Sequence, residues 1–126
     1  MWKAKVIKAE DVVFEDRVGQ DPVKSRFARI VRQPMSGGLG FGILEVDDID
    51  ADWFINYDEI FYILEGNFRV IIDGEVFEGN AGDTIFLPKD TQLHYESTGK
   101  AKLLYIVHPE GNVAGVYLSA ATDGMG

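Results

Sequence analysis

Residues 58–74 read Asp58-Glu59-Ile60-Phe61-Tyr62-Ile63-Leu64-Glu65-Gly66-Asn67-Phe68-Arg69-Val70-Ile71-Ile72-Asp73-Gly74. Two mainly aliphatic and aromatic runs, 60–64 and 68–72, the second broken by Arg69, are separated by Glu65-Gly66-Asn67 and followed by Asp73-Gly74. Five-residue runs between turn residues are too short for helices and have the composition of strands. Asp73-Gly74 signals a hairpin, because both residues tolerate the positive φ of a type I′ turn. Alternation places Phe68, Val70 and Ile72 on one face and Arg69 and Ile71 on the other. An apolar Ile71 on that second face suggests a cover there, such as a partner subunit.

The same grammar extends in both directions. Strands are expected at 4–8, 26–32, 41–46, 53–55, 60–64, 68–72, 84–87, 92–96, 102–107 and 113–118, and no long helical period interrupts them. Many short strands with turns about every ten residues indicate an all-β sandwich or barrel. One domain over 1–118 is expected, with a small polar tail at 119–126. The chain has 126 residues, no cysteine and two histidines, 46% hydrophobic and 26% charged residues, and a net charge of −9. This is the balance of a folded globular domain. Without cysteine there is no disulfide, zinc finger, iron–sulfur cluster or thiol nucleophile. His94 and His108 alone cannot supply a three-histidine metal site. The acidic balance argues against nucleic acid and anionic membranes as partners. The start lacks the apolar run of a signal peptide, and runs 60–64 and 103–107 are too short to span a bilayer. A cytoplasmic location is therefore expected.

From Asn56 onward the chain resembles a cupin. Glu59 is followed by six residues and Gly66, as at the end of cupin motif one. Gly82 is followed by five residues and Pro88, as at the start of motif two. A narrower likeness lies in Trp53-Phe54-Ile55-Asn56-Tyr57-Asp58-Glu59 with Leu64-Glu65-Gly66, which is similar to a signature of the ethanolamine-utilisation EutQ-like proteins. Pro34-Met35 with Gly37-Gly38 upstream, and Leu104-Tyr105-Ile106-Val107 with Pro109 downstream, extend it over a motif-bearing core of about 30–110. The resemblance implies a cupin double-stranded β-helix, a jelly-roll barrel, paired as a homodimer. It also implies a link to ethanolamine catabolism in a bacterial microcompartment, and an acetate-kinase activity has been associated with the family. Many EutQ-like proteins carry a further N-terminal region, so the likeness is to their cupin domain alone.

Cupin enzymes usually hold a divalent metal with two histidines and a glutamate of motif one and a histidine of motif two. Here the motif-one histidine positions fall on Trp53 and Ile55, or on Asp52 and Phe54 with one more loop residue, and the motif-two position falls on Leu93. Only Glu59 remains, so no cofactor is expected. His94 lies one place beyond the usual ligand, on the opposite face of its strand unless a bulge turns it inward. His108 reads as a barrel-rim residue. A lone Glu59 between apolar strands should be desolvated and its pKa raised, making it a candidate acid or base with Tyr57 as positioning partner. Tyr95 and Tyr105 offer hydroxyls, and Trp53 an aromatic wall that would suit an ammonium group beside a carboxylate. His94 and Met35 complete the candidate ligand-binding residues.

Three rival motifs are weaker. Asp48, Asp50, Asp52, Ile55 and Glu59 match the spacing of an EF-hand loop, but Trp53 replaces the glycine of the sharp turn and the flanks read as strands; a solvated acidic loop at the barrel rim is the plainer reading. Gly38, Gly40 and Gly42 suggest a phosphate loop, but no lysine-bearing motif or helix follows, and close backbone approach explains them better. No G-x-S-x-G is present. Three functions stay open: a barrel binding a small polar metabolite at Glu59, a non-catalytic dimeric binding or scaffold cupin, and a metal enzyme with non-standard ligands such as Glu59, His94 and a tyrosine.

Overall fold

The computed structural model describes residues 3–16, 24–32, 35 and 37–110. After a short 3-10 turn at Ala9–Asp11, the elements are β1 Glu15–Asp16, β2 Ser25–Val31, β3 Gly40–Asp47, β4 Asp50–Ile55, β5 Asp58–Glu65, β6 Asn67–Ile72, β7 Glu75–Asn80, β8 Thr84–Leu87, β9 Thr91–Glu96 and β10 Lys100–His108. They form a six-stranded sheet in the order β1-β2-β3-β10-β5-β8 and a four-stranded sheet in the order β4-β9-β6-β7. Every strand pairing is antiparallel. Two antiparallel sheets that exchange strands in this way make a jelly roll, as the all-β reading expects.

Alternation decides what lies between the sheets. Phe61 and Ile63 of β5, Phe68 and Val70 of β6, Leu93 and Tyr95 of β9, and Leu103, Tyr105 and Val107 of β10 are buried in one core. Phe61, Phe68 and Tyr95 meet at its centre with ring centroids 5.4–5.8 Å apart, the first two edge to face, a geometry that aromatic quadrupoles favour. The β6–β7 turn has φ 51° at Asp73 and 80° at Gly74, as the hairpin signal requires.

Several expectations need correction. Residues 4–8 are not a strand: they are exposed throughout, and Val6 has no apolar surface to face. The acidic run 50–52 is not a rim loop but the first half of β4, because Asp50 and Asp52 point out while Ala51 points in. Strand β7 was not expected, since only Gly79 of it is buried and it carries no apolar alternation. The expected strand 113–118 and tail 119–126 lie outside the described residues.

The glycine reading holds for packing. A Cβ on Gly42 would sit 2.1 Å from the carbonyl oxygen of Ala28 and 2.5 Å from the Tyr105 hydroxyl, and one on Gly40 would sit 2.6 Å from Val107. These glycines let β2 and inward side chains of β10 close over β3. Gly42→Ala should therefore lower stability by about 1–3 kcal/mol, read as a lower urea midpoint with an unchanged slope; an unchanged midpoint would show that the β2–β3 contact has slack.

Candidate functional site

Glu59 is the second residue of β5, and its alternation with Phe61 and Ile63 turns it inward. Its cross-strand neighbours are Val107 of β10 and Leu87 of β8, both buried aliphatics. Glu59 itself is 2% exposed. Its contact in hydrogen-bond range is the Tyr95 hydroxyl, which donates to Oε1 at 3.4 Å. Burial pushes the carboxyl up to about 8, against the smaller opposing effect of the Tyr95 hydroxyl. At neutral pH the group is thus mostly protonated, a neutral acid that can donate a hydrogen bond or a proton.

The hydroxyl that reaches Glu59 is that of Tyr95 rather than that of Tyr57, the expected partner. Tyr57 is wholly buried and accepts a hydrogen bond from Trp53 Nε1 at 3.3 Å. Trp53 faces inward from β4, opposite Leu93 of β9. Tyr105 is buried over Gly42. Met35 is half-buried in a turn, its amide donating to the Arg32 carbonyl at 2.8 Å. Glu59, Tyr95, Trp53 and Tyr57 therefore belong to one interior.

His94 does not join them. Leu93, Tyr95 and Ser97 are buried, and His94 points to the outer face of the four-stranded sheet. There its Nδ1 lies 2.7 Å from Asp52 Oδ1, its Nε2 2.5 Å from Asp50 Oδ1 and 3.7 Å from Glu96 Oε2. Glu96 is in turn 3.5 Å from Arg69 Nε of β6. An imidazole with a carboxylate at each nitrogen is best satisfied as the doubly protonated cation, and the hydrogen bond to Asp52, ahead of that to Asp50, raises its pKa. Sequence reasoning missed Asp50 and Asp52 in this role. Their alternate spacing, opposite His94 once β4 and β9 pair, is the signal that could have found them.

Glu59 and His94 thus stand on opposite faces of the barrel wall and do not converge on one ion. At the positions where cupins usually place metal-binding histidines, Trp53, Ile55 and Leu93 are buried and bring no ligating atom, so the donor set around Glu59 does not fit that metal. The EF-hand spacing dissolves as well. Asp48 Oδ1 accepts from the Gly99 amide at 2.5 Å, Asp50 and Asp52 hold His94, and Glu59 is inside the barrel. A cavity of about 540 Å³ lies elsewhere, at the far end of β5 and β10 from Glu59, lined by Lys24, Arg26, Glu45, Glu65, Lys100 and Lys102 among others.

Two jelly-roll sheets closed around Glu59, the one buried acid among the described residues, have the architecture of a cupin. The fold is shared with an RmlC-like cupin from Shewanella frigidimarina, at a TM-score of 0.67 and 19% identity over 85% of this chain and 92% of that one. More narrowly, the chain belongs to the EutQ family: a family model described as ethanolamine utilisation protein EutQ matches residues 4–113. The acetate kinase EutQ of Salmonella typhimurium is 30% identical over 105 residues, 83% of this chain and 46% of that protein. The crystal structure of an ethanolamine utilization protein EutQ from Salmonella typhimurium LT2 superposes with a TM-score of 0.77 at 29% identity, over 85% of this chain and 87% of that one. The chain spans about half the length of the curated relatives it matches. Among the described residues, no helix is long and apolar enough to cross a membrane.

Both titratable groups give signed predictions. Between about 4.5 and about 8 the unfolded chain has lost the Glu59 proton while the folded protein keeps it. Stability should therefore fall as pH rises through this window, by up to about 1.4 kcal/mol per unit, and Glu59→Gln should remove that slope in urea titrations. His94 acts in the same direction: its contribution is full below its ordinary value of 6.5 and is lost as pH rises through the elevated folded value. Proton NMR should show a His94 midpoint above 6.5 that drops in Asp52→Asn; a midpoint at or below the ordinary value would contradict the clamp.

Proposed function

We propose that this EutQ-family cupin binds a small polar metabolite with a primary ammonium group inside its barrel, and that Glu59 recognises it. The observation that carries this reading is an acid buried between Val107 and Leu87, beside the Tyr95 hydroxyl, in an interior walled by Trp53 and Tyr57. An unpaired carboxylate in such a place is costly, so the carboxyl holds its proton until a cation offers to replace it. Aromatic faces add attraction for that cation. The aromatic filling also sets the size: a ligand that shares this interior with Trp53, Tyr57, Phe61, Phe68 and Tyr95 is small. The family's link to ethanolamine utilisation supplies ethanolamine as the first probe.

The chemistry fixes the pH dependence. An ammonium ion pairs with Glu59 only after the carboxyl has released its proton, so binding at neutral pH expels one proton. Calorimetric titration with ethanolamine should show a dissociation constant about tenfold weaker for each pH unit below about 8. Buffers of different ionisation enthalpy should report proton release. Glu59→Gln should abolish binding, while ethylene glycol, which lacks the amine, should not bind the native protein. Ethanolamine affinity that is independent of pH and unaltered by Glu59→Gln would sink this reading.

A further inference from the structure

The outer face of the four-stranded sheet carries a polar cluster apart from the barrel interior. Strands β4 and β9 pair with Asp50 opposite Glu96 and Asp52 opposite His94. Alternation turns all four side chains outward, because Ala51 and Trp53 on β4, and Leu93 and Tyr95 on β9, take the inward positions. The backbone thus fixes a two-by-two square of one imidazole and three carboxylates, with directly opposed Cβ atoms roughly 5 Å apart. The imidazole is the member that sets this square apart from a solvated acidic patch. It is 29% exposed and brings a nitrogen donor among the carboxylate oxygens.

The donors converge on one of the two ring nitrogens. His94 Nε2 lies 2.5 Å from Asp50 Oδ1 and 3.7 Å from Glu96 Oε2, and one donor atom from each of the three residues falls within 4.8 Å of the other two. Ligands held about 2.0–2.2 Å from a metal ion stand roughly 3–3.5 Å from one another, so rotation of the two carboxylates completes the set. The other ring nitrogen is engaged differently. Asp52 Oδ1 lies 2.7 Å from Nδ1, the contact that orients an imidazole whose second nitrogen binds a metal. Glu96 is oriented as well. Arg69 Nε approaches its Oε1 at 3.5 Å and leaves Oε2 facing His94. Arg69 is itself tied to Asn67 Oδ1 at 2.8 Å and to Thr98 Oγ1 at 3.2 Å. Ile71, the apolar residue on the outer face of β6, stands next to His94 in the same row, so the neighbour on that side is aliphatic.

We propose that Asp50, His94 and Glu96 bind one divalent first-row transition ion of the zinc type, with Asp52 as the positioning residue for the imidazole. The ion takes the place of the proton that Nε2 otherwise presents to Asp50. An imidazole nitrogen joined by carboxylates suits zinc, cobalt, nickel or copper. Calcium instead takes six to eight oxygens, and magnesium likewise prefers oxygen. The ion ties β4, an edge strand of its sheet, to β9. Trp53 follows Asp52 on β4 and faces the interior, so a cation bound outside braces the aromatic wall inside. Glu59 has no part in this site.

Calorimetry with Zn²⁺ on the untagged chain at neutral pH should show one saturable equivalent. The melting temperature should rise by roughly 5 °C or more at a hundredfold excess over the dissociation constant. His94→Gln and, separately, Glu96→Gln should each weaken binding about a hundredfold, and Asp52→Asn about tenfold. These side chains point away from the core, and circular dichroism checks that the variants keep their sheets. Glu59→Gln should bind Zn²⁺ as the native chain does. In the native chain, which needs no variant, Co²⁺ should shift or broaden the ring protons of His94 ahead of those of His108. An absence of Zn²⁺ binding, binding that survives His94→Gln or is lost in Glu59→Gln, a Co²⁺ effect that spares His94, or equal stabilisation by Ca²⁺ or Mg²⁺ would each overturn the proposal.

Discussion

Strand β10 is hydrogen-bonded along both edges, to β3 on one side and β5 on the other, and its register fixes much of the rest. The side-chain period of a strand is two, so a slip of one residue would exchange its two faces. In the observed register Leu103, Tyr105 and Val107 point in, Tyr105 lies over Gly42, and Val107 stands beside Glu59. Lys102, Leu104 and Ile106 then point out, beside Glu45, Ile43 and Phe41 of β3. The buried acid and the apolar outer surface are thus set by one alignment. Gly40 and Gly42 guard it, because the inward side chains of β10 occupy the space their Cβ atoms would take.

How far the sequence foretold this follows from what alternation can report. The central strands were legible as short apolar runs between turn residues, unbroken in β5 and β10 and alternating more clearly in β9, and the cupin spacings of Glu59 to Gly66 and Gly82 to Pro88 named the fold. The inward turn of Glu59 and the outward turn of His94 came from the same period. Strand β7 was not legible, since its side chains are mostly exposed and its place depends on the backbone partner that Asp73-Gly74 brings to it. Residues 4–8 carried strand-like composition without a partner. The carboxylate pair around His94 needed the β4–β9 register, which no local pattern encodes. The exchange of Tyr57 for Tyr95 at Glu59 likewise depends on how the two sheets face each other.

The two acid-rich regions show how environment divides one chemistry into two. Asp50 and Asp52 remain at the surface, where water and the His94 cation share the work of stabilising their charge. Glu59 is buried among aliphatic neighbours, with the Tyr95 hydroxyl at the long end of the hydrogen-bond range. Its proton is the least costly counter-charge available, which is why the same functional group behaves as an anion on β4 and as a neutral acid on β5.

The place of β10 in the chain has a consequence for synthesis. It comes last among the described strands, yet it sits in the middle of the six-stranded sheet. Until residue 108 has left the ribosome, β3 and β5 have no strand to join them. The four-stranded sheet is complete earlier, once residue 96 is free. The nascent protein must therefore hold a half-built sandwich until β10 is inserted, with long-range pairings that are slow to form and prone to aggregation while they wait.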